Sequence, residues 1–279
     1  MTRTGIFLIG AVAMSLLLLG CPPDPEPPAP RRPQFVPKSS DTAKVERGIR
    51  PVPGQNAIRL EWFRNTERDL AGYRVFRTSE VAQDTTLPIN FRLLREIPLG
   101  SQEAIGLPDT VFIDAAAVPD VQYYYQIEAY TRRGARSERS VPESFRLATR
   151  VEPRTPIGQL VFSRSDTTIY FEWGKPSFAS GFYVLKLYEF RGFDTFFEED
   201  CVAILYDGSS FRDRDTVSIN FGQVFQAPSP VRRIPNGLRV FKRLESGVQY
   251  RWQVQAFPED IDRRYGTASE LLGFRVSIN

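Results

Sequence analysis

The segment Val121-Gln122-Tyr123-Tyr124-Tyr125-Gln126-Ile127-Glu128-Ala129-Tyr130 constrains the fold of this chain more than any other stretch. Side chains alternate between the two faces of an extended strand, so Val121, Tyr123, Tyr125, Ile127 and Ala129 line one side. Gln122, Gln126 and Glu128 fall on the other. An apolar face of this kind has to be covered by a second layer of structure. The same alternation occurs in Ala57-Ile58-Arg59-Leu60-Glu61-Trp62, where Ile58, Leu60 and Trp62 share a face and Arg59 and Glu61 oppose it. Shorter strand-like runs are Gly72-Tyr73-Arg74-Val75-Phe76-Arg77, Phe91–Ile97, Thr110–Asp114 and Ser144–Ala148. Turn formers separate them, among them Asn65–Asp69 and Gly134. With no helical period between these strands, the expectation is an all-β, antiparallel sandwich of immunoglobulin type.

The pattern then occurs a second time. Thr168-Ile169-Tyr170-Phe171-Glu172-Trp173 matches Ala57 to Trp62, and Val248-Gln249-Tyr250-Arg251-Trp252-Gln253-Val254-Gln255-Ala256-Phe257 matches Val121 to Tyr130 almost position for position. Gly181-Phe182-Tyr183-Val184 corresponds to Gly72-Tyr73-Arg74-Val75, and Gly273-Phe274-Arg275-Val276 can close a last strand. Internal duplication explains this economically. The tryptophan strand and the tyrosine strand lie farther apart in the second copy, so extra loops or an added strand are expected between them. Thr149 to Ile157, with Pro153 and Pro156, is expected to be a short hinge of restricted flexibility.

Trp62, Tyr73-Arg74-Val75, Val121 to Ala129 and the Pro53-Gly54 turn before Trp62 together resemble the fibronectin type III pattern. The resemblance implies that Trp62 is a central core residue and that the Tyr123 hydroxyl bonds back to main chain. Tyr125 and Ile127 would pack the core. It covers residues 40–149, and residues 150–279 resemble a second fibronectin type III domain with an insertion.

The N-terminus has a different character. Arg3 precedes an apolar run from Gly5 to Gly20, too short for a comfortable transmembrane helix but suited to a secretory signal. Leu18-Leu19-Gly20-Cys21 resembles the lipobox of bacterial lipoprotein precursors. That family implies a signal peptide over residues 1–20, cleavage before Cys21, and a diacylglyceryl group on the Cys21 sulfur, often with a further acyl chain such as palmitate on the new amino group. Two or three chains anchor stably, because each buried methylene contributes about 0.8 kcal/mol. Residues 21–39 contain Pro22-Pro23-Asp24-Pro25-Glu26-Pro27-Pro28-Ala29-Pro30-Arg31-Arg32-Pro33 and run on past Pro37. Such a density of proline favours polyproline II, which at about 3.1 Å per residue is expected to hold the folded part roughly 50 Å from the lipid. Pro22 replaces the aspartate that retains such lipoproteins at an inner membrane. The expected location is therefore the cell envelope, at the outer membrane.

Composition bounds the chemistry. The chain of 279 residues has no histidine, which removes Ser/His/Asp and Cys/His catalysis and His-based zinc sites. With Cys21 lipidated, Cys201 has no partner for an intramolecular disulfide, and Cys201-Val202-Ala203-Ile204-Leu205-Tyr206 reads as a buried strand. A net charge of +3 with both signs interspersed gives no nucleic-acid footprint. The carboxylate groups Glu198-Glu199-Asp200, Asp213 with Asp215, and Asp260 with Asp262 read as solvated turns, and no calcium loop or phosphate loop is complete. No enzyme, metal or cofactor is expected.

Aromatic residues crowd the second copy, from Phe182 through Tyr188 and Phe190 to Phe193, Phe196 and Phe197. The last three are the expected partner-binding surface, since one small core cannot take every ring. The functional expectation is a non-catalytic, membrane-anchored envelope lipoprotein whose fibronectin domains mediate protein interaction or act as a spacer. The alternative is a carbohydrate-binding accessory of a polysaccharide-utilising system, with an envelope protein or a glycan as partner.

Overall fold

The structure of the protein is a computed structural model. It describes residues 28–43, 45–83, 86–162, 169–176, 178, 181–190, 201–207, 216–220, 231–233, 246–259 and 262–278. The first sandwich is built from β1 (Arg50–Pro51), β2 (Ile58–Glu61), β3 (Leu70–Thr78), β4 (Arg92–Pro98), β5 (Val111–Asp114), β6 (Gln122–Thr131) and β7 (Glu143–Leu147). One sheet has the order β1-β2-β5 and the other β4-β3-β6-β7. Their pairings are antiparallel throughout.

The period-two pattern places the core as expected. Ile58, Leu60, Tyr125, Ile127 and Ala129 are fully buried, and Trp62 meets Tyr73 edge to face at 5.4 Å. Each such side chain contributes about 1.5–3 kcal/mol on burial, and an aromatic pair somewhat more. The Val118 N–H donates to the Tyr123 hydroxyl over 3.4 Å, which is the expected corner contact. Leading into β7, Ser137 and Ser140 run beside β6 without forming a full strand. Their hydroxyls accept from the N–H groups of Ala129 and Ile127, both at 2.9 Å, and so satisfy groups that a ladder would otherwise satisfy.

The second sandwich contains β8 (Glu152–Thr155), β9 (Gly158–Phe162), β10 (Tyr170–Gly174), β11 (Phe182–Phe190), β12 (Cys201–Asp207), β13 (Thr216–Asn220), β14 (Val231–Arg233), β15 (Gln249–Phe257), β16 (Tyr265–Ala268) and β17 (Leu272–Ile278). One sheet is β13-β10-β8, and the other includes β14-β12-β11-β15, with β16 and β17 both paired to β15. Trp173 and Tyr183 repeat the Trp62–Tyr73 pair at 5.5 Å. Phe171 meets Trp252 edge-on at 5.1 Å, and Phe274 stacks on Tyr250.

One sequence expectation changes here. Glu152–Thr155, inside the expected hinge, is strand β8, paired with β10. Proline is compatible with that role because β8 lies at the edge of its sheet, where Pro153 need not supply an N–H to a second neighbour. The insertion lies between β13 and β15: residues 115–121 join β5 to β6 in the first copy, whereas residues 221–248 separate the equivalent strands and include the added strand β14.

The later part of the proline-rich segment is docked on the first sandwich. Arg31 N–H donates to Glu67, Val36 N–H to the Glu61 carbonyl, and Phe63 N–H to the Gln34 carbonyl, at 2.6, 2.9 and 2.9 Å. Polyproline II leaves its main-chain groups without internal bonds, so a neighbouring edge can take them up. Pro30, Pro33 and Val36 are buried. The expected reach of roughly 50 Å therefore cannot apply to the whole segment, because its spacing part ends near Arg31.

Candidate functional site

The two sandwiches meet along a strand pair. β7 and β16 run parallel with Tyr265 opposite Arg146 and Gly266 opposite Leu147, which joins the larger sheets of the two copies. Arg146 N–H donates to Arg264 and Ala148 N–H to Gly266, at 2.7 and 3.0 Å. Gly54, at φ +70°, closes the turn between β1 and β2 and donates its N–H to the Ala268 carbonyl; a Cβ there would lie 2.9 Å from that of Glu270. Around this seam the Arg146 guanidinium lies over the Tyr265 ring, the Tyr265 hydroxyl donates to Asp120, and Arg264 pairs with Glu143 at 2.6 Å. Burial raises the Glu143 carboxyl above its ordinary range despite Arg264.

A strap, described over residues 38–43 and 45–47, also ties the same two bodies together. Asp41 N–H donates to Asp262 at 2.7 Å and Asp262 N–H donates to Asp41 at 2.6 Å, while Lys38 pairs with Asp41. Asp262 is thus a structural acceptor with a left-handed backbone, φ 64°, rather than an unattached turn carboxylate. Farther along, Glu46 accepts from both Lys186 on β11 and Gln255 on β15, and Lys186 also donates to the Ala43 carbonyl at 3.0 Å. Only 1% of Lys186 is exposed. An ammonium taken this far from water has to be paired and hydrogen-bonded, and the strap supplies both. Arg47 and Arg50 bind Glu61 at the first-sandwich end.

Between strap, β1–β2 and β11–β15 lies a cleft of about 310 Å³. This is near the lower end of the small-molecule range of roughly 300–1,000 Å³. Val52, Pro53, Tyr188 and Leu271 provide an apolar wall, and Arg50, Arg59, Lys186, Gln253 and Gln255 a polar one. Arg59 carries a buried Nε with no hydrogen-bond partner, and the Oε1 atoms of Gln253 and Gln255 are likewise buried without donors. Burial, and then Arg50 and Arg47 beside it, lower the Arg59 pKa, with Glu61 opposing. These unpartnered atoms are out of reach of solvent, so they lie within the wall of the cleft rather than on its surface, while Arg50 and Lys186 are paired with Glu61 and Glu46.

Apart from Pro53 of the Pro53-Gly54 turn, no motif singles out these cleft residues. Arg59 was legible only as an outward position of β2. The usable signal was Phe182 to Leu187, a strand whose outward Val184 is as apolar as its inward face, which implies cover on both sides. Cys21 and the expected partner-binding residues Phe193, Phe196 and Phe197 lie outside the described residues, as do Glu198-Glu199-Asp200, Asp213, Asp215 and Asp260. Among the described residues no group of three or more His, Cys, Asp or Glu could hold a metal ion, and no helix is long and apolar enough to cross a membrane. The exposed aromatics Phe63 and Tyr170 sit on different sandwiches.

In the first half, three strands facing four, the buried Trp62 just past β2 and the corner contact of Tyr123 define a fibronectin type III-like sandwich; the second half repeats the two facing sheets and the buried tryptophan, Trp173 on β10, with a larger second sheet. Among solved structures, the chain is similar to an Fn3-like protein from Clostridium thermocellum, at 14% identity over 42% of this chain and 92% of that one, with a TM-score of 0.28. It is also similar to the FN1–FN3 domains of chicken CNTN1, at 14% identity over 87% of this chain and 68% of that one, again with a TM-score of 0.28. At these values the fold assignment rests on the strand order. No protein-family model and no curated protein matches the chain.

Proposed function

We propose that this is a non-catalytic envelope lipoprotein, anchored at the outer membrane through Cys21, whose fused fibronectin type III-like pair is a stiff spacer that presents a protein-interaction surface. The observation that carries this reading is the doubly tied junction. The β7–β16 seam and the strap both restrain the pair, and the strap continues directly from the proline-rich segment. A spacer transmits position only if its modules do not swing independently, and default inter-domain behaviour is relative motion unless the interface is extensive. Supporting the anchor is the lipobox-like Leu18-Leu19-Gly20-Cys21. In intact cells, metabolic labelling with a palmitate analogue is expected to mark the protein and to be lost in Cys21→Ser. Labelling that persists in that variant overturns the anchor. Cross-linking of the wild type is expected to capture an envelope protein in a manner that depends on Cys21.

A further inference from the structure

We propose that the end of the first sandwich remote from the junction docks on an anionic phospholipid surface, with two apolar loop tips in the headgroup layer and arginines on the phosphates. Three loops form this end: residues 63–69 before β3, 99–110 between β4 and β5, and 132–139 after β6. The strand order brings them together and main-chain bonds join them. Trp62 N–H donates to the Thr110 carbonyl at 3.0 Å, and Arg132 N–H to the Asp69 carbonyl at 2.9 Å. The turns at Gly54 and Asp120, which meet the second sandwich, lie at the opposite end.

The chain from the anchor arrives at the three-loop end. Arg31 N–H donates to Glu67, and the Arg31 carbonyl accepts from Asn65 at 2.8 Å. Arg31 lies ten residues beyond Cys21, and a stretch of that length reaches at most about 36 Å. The proposal rests on the anchor at Cys21, which brings a lipid surface this close to these loops and to no other end of the pair. Charge suits the same partner. Segments 31–32, 63–69, 99–110 and 131–139 hold eight arginines against five carboxylates, an excess of three that equals the +3 of the whole chain. Arg64, Arg68, Arg132, Arg133 and Arg136 are exposed, and each cation near anionic lipid adds to the attraction. Phe63 and Ile105, in two of the three loops, are 52% and 69% exposed. Apolar tips among arginines match a headgroup boundary, where the tips enter and the guanidinium groups stay at the phosphates.

The test uses the full lipidated chain in vesicles of phosphatidylcholine and phosphatidylglycerol with brominated acyl chains, which quench tryptophan on contact. Ile105→Trp places a reporter on a docked loop, and Val118→Trp places one at the junction end, where Val118 is 54% exposed. The Ile105→Trp emission is expected to fall about twofold or more, since a docked tip sits about 5–10 Å into the boundary. Val118→Trp is expected to keep the emission it has in unbrominated vesicles. Adding Arg132→Glu and Arg133→Glu to Ile105→Trp, or raising the salt, is expected to abolish the quenching while the chain still floats with the vesicles. The salt arm needs no change of sequence and so decides the matter should the double substitution fail to fold. Absence of quenching in Ile105→Trp, equal quenching in Val118→Trp, or quenching indifferent to both charge reversal and salt overturns the proposal. A chain that carries label at Cys21 and floats without quenching sinks the docked end alone, whereas quenching in a chain that carries no label sinks the anchor alone.

Discussion

Tyr125 and Trp252 occupy the same place in the two copies, the centre of the longest strand facing the opposite sheet, and they satisfy their polar atoms in different ways. The Tyr125 hydroxyl donates over 2.8 Å to Asp114, which also accepts two bonds from Arg77, so the first core holds a nearly buried ion pair. Burial first, and then the Asp114 charge, push the Tyr125 pKa upward. Trp252 instead donates its indole N–H over 2.9 Å to the main-chain carbonyl of Pro156. The duplication conserved an inward aromatic and left each copy to find a partner for its polar atom. What lies nearest decides between them: the strand residues Asp114 and Arg77 give a charged network, and the Pro156 carbonyl between β8 and β9 gives a single neutral bond.

The outer surfaces diverge for the same kind of reason. Arg59 in the first copy corresponds to Tyr170 in the second; Arg59 is half-buried under the second sandwich, while Tyr170 is 53% exposed. The strand register moves the sequence match of β3 and β11 by one residue, so that Phe76, opposite Gln126, corresponds to Lys186, opposite Gln253: Phe76 is covered by the Arg139 guanidinium at 3.8 Å from its centroid, and Lys186 is covered by the strap. Equivalent positions therefore carry residues chosen by what packs on them.

Breaking the charged network should cost most. Asp114→Ala strands Arg77 and the Tyr125 hydroxyl in the first core and is expected to lower unfolding free energy by about 5 kcal/mol, the upper range for orphaning a buried pair. Urea unfolding at pH 7 measures it, and a loss below about 1 kcal/mol would show that water replaces Asp114 easily. Glu46→Ala removes the anion from Lys186 and should cost about 3 kcal/mol, since part of Glu46 is already within reach of water. In the second core, Trp252→Phe leaves the Pro156 carbonyl without its donor and opens space, for an expected loss of about 2 kcal/mol. Arg139→Ala, which uncovers Phe76 on an open surface, should cost about 0.5–1 kcal/mol. If Arg139→Ala proved as damaging as Glu46→Ala, the two covers would be equivalent and the strap would have no special part in the junction.

The inward faces were readable because a period of two leaves few alternatives: Ile58, Leu60 and Trp62, or Tyr123, Tyr125 and Ile127, can share a side only in a strand. The tandem organisation followed from the same signal occurring twice. β8 was hidden because Pro153 and Pro156 act as local breakers; Pro156 falls just past the strand, and only the edge position, a property of the whole sheet, makes Pro153 acceptable inside it. The cleft was hidden for a stronger reason. Glu46 meets Lys186 and Gln255 across separations of 140 and 209 residues, and no local pattern couples positions so distant. The described part of the junction is thus tertiary information, while the sandwiches that flank it are largely local and periodic.

The smallest expected effect separates the two ends of the strap by pH. At the first-sandwich end, burial of Glu61 acts to raise its pKa, but hydrogen bonds from Arg47, Gly48 N–H and Arg50 outweigh it and bring the value below the ordinary 4.5. A carboxylate depressed on folding contributes stability that is fully present above pH 4.5 and is lost as pH falls through the folded value. At the second-sandwich end, burial raises the Asp41 pKa above the ordinary 3.8, with Lys38 only partly offsetting it. There the folded state holds the proton more tightly than the unfolded chain, so stability falls as pH rises from 3.8 through the folded value. The two ends should therefore titrate with opposite signs. Glu61→Gln is expected to remove a rise of stability with pH, and Asp41→Asn to remove a fall, in unfolding free energies measured from pH 3 to pH 6. Slopes that shift the same way in both variants would mean that the strap responds to pH as one unit, with no distinction between the sandwich it leaves and the sandwich it grips.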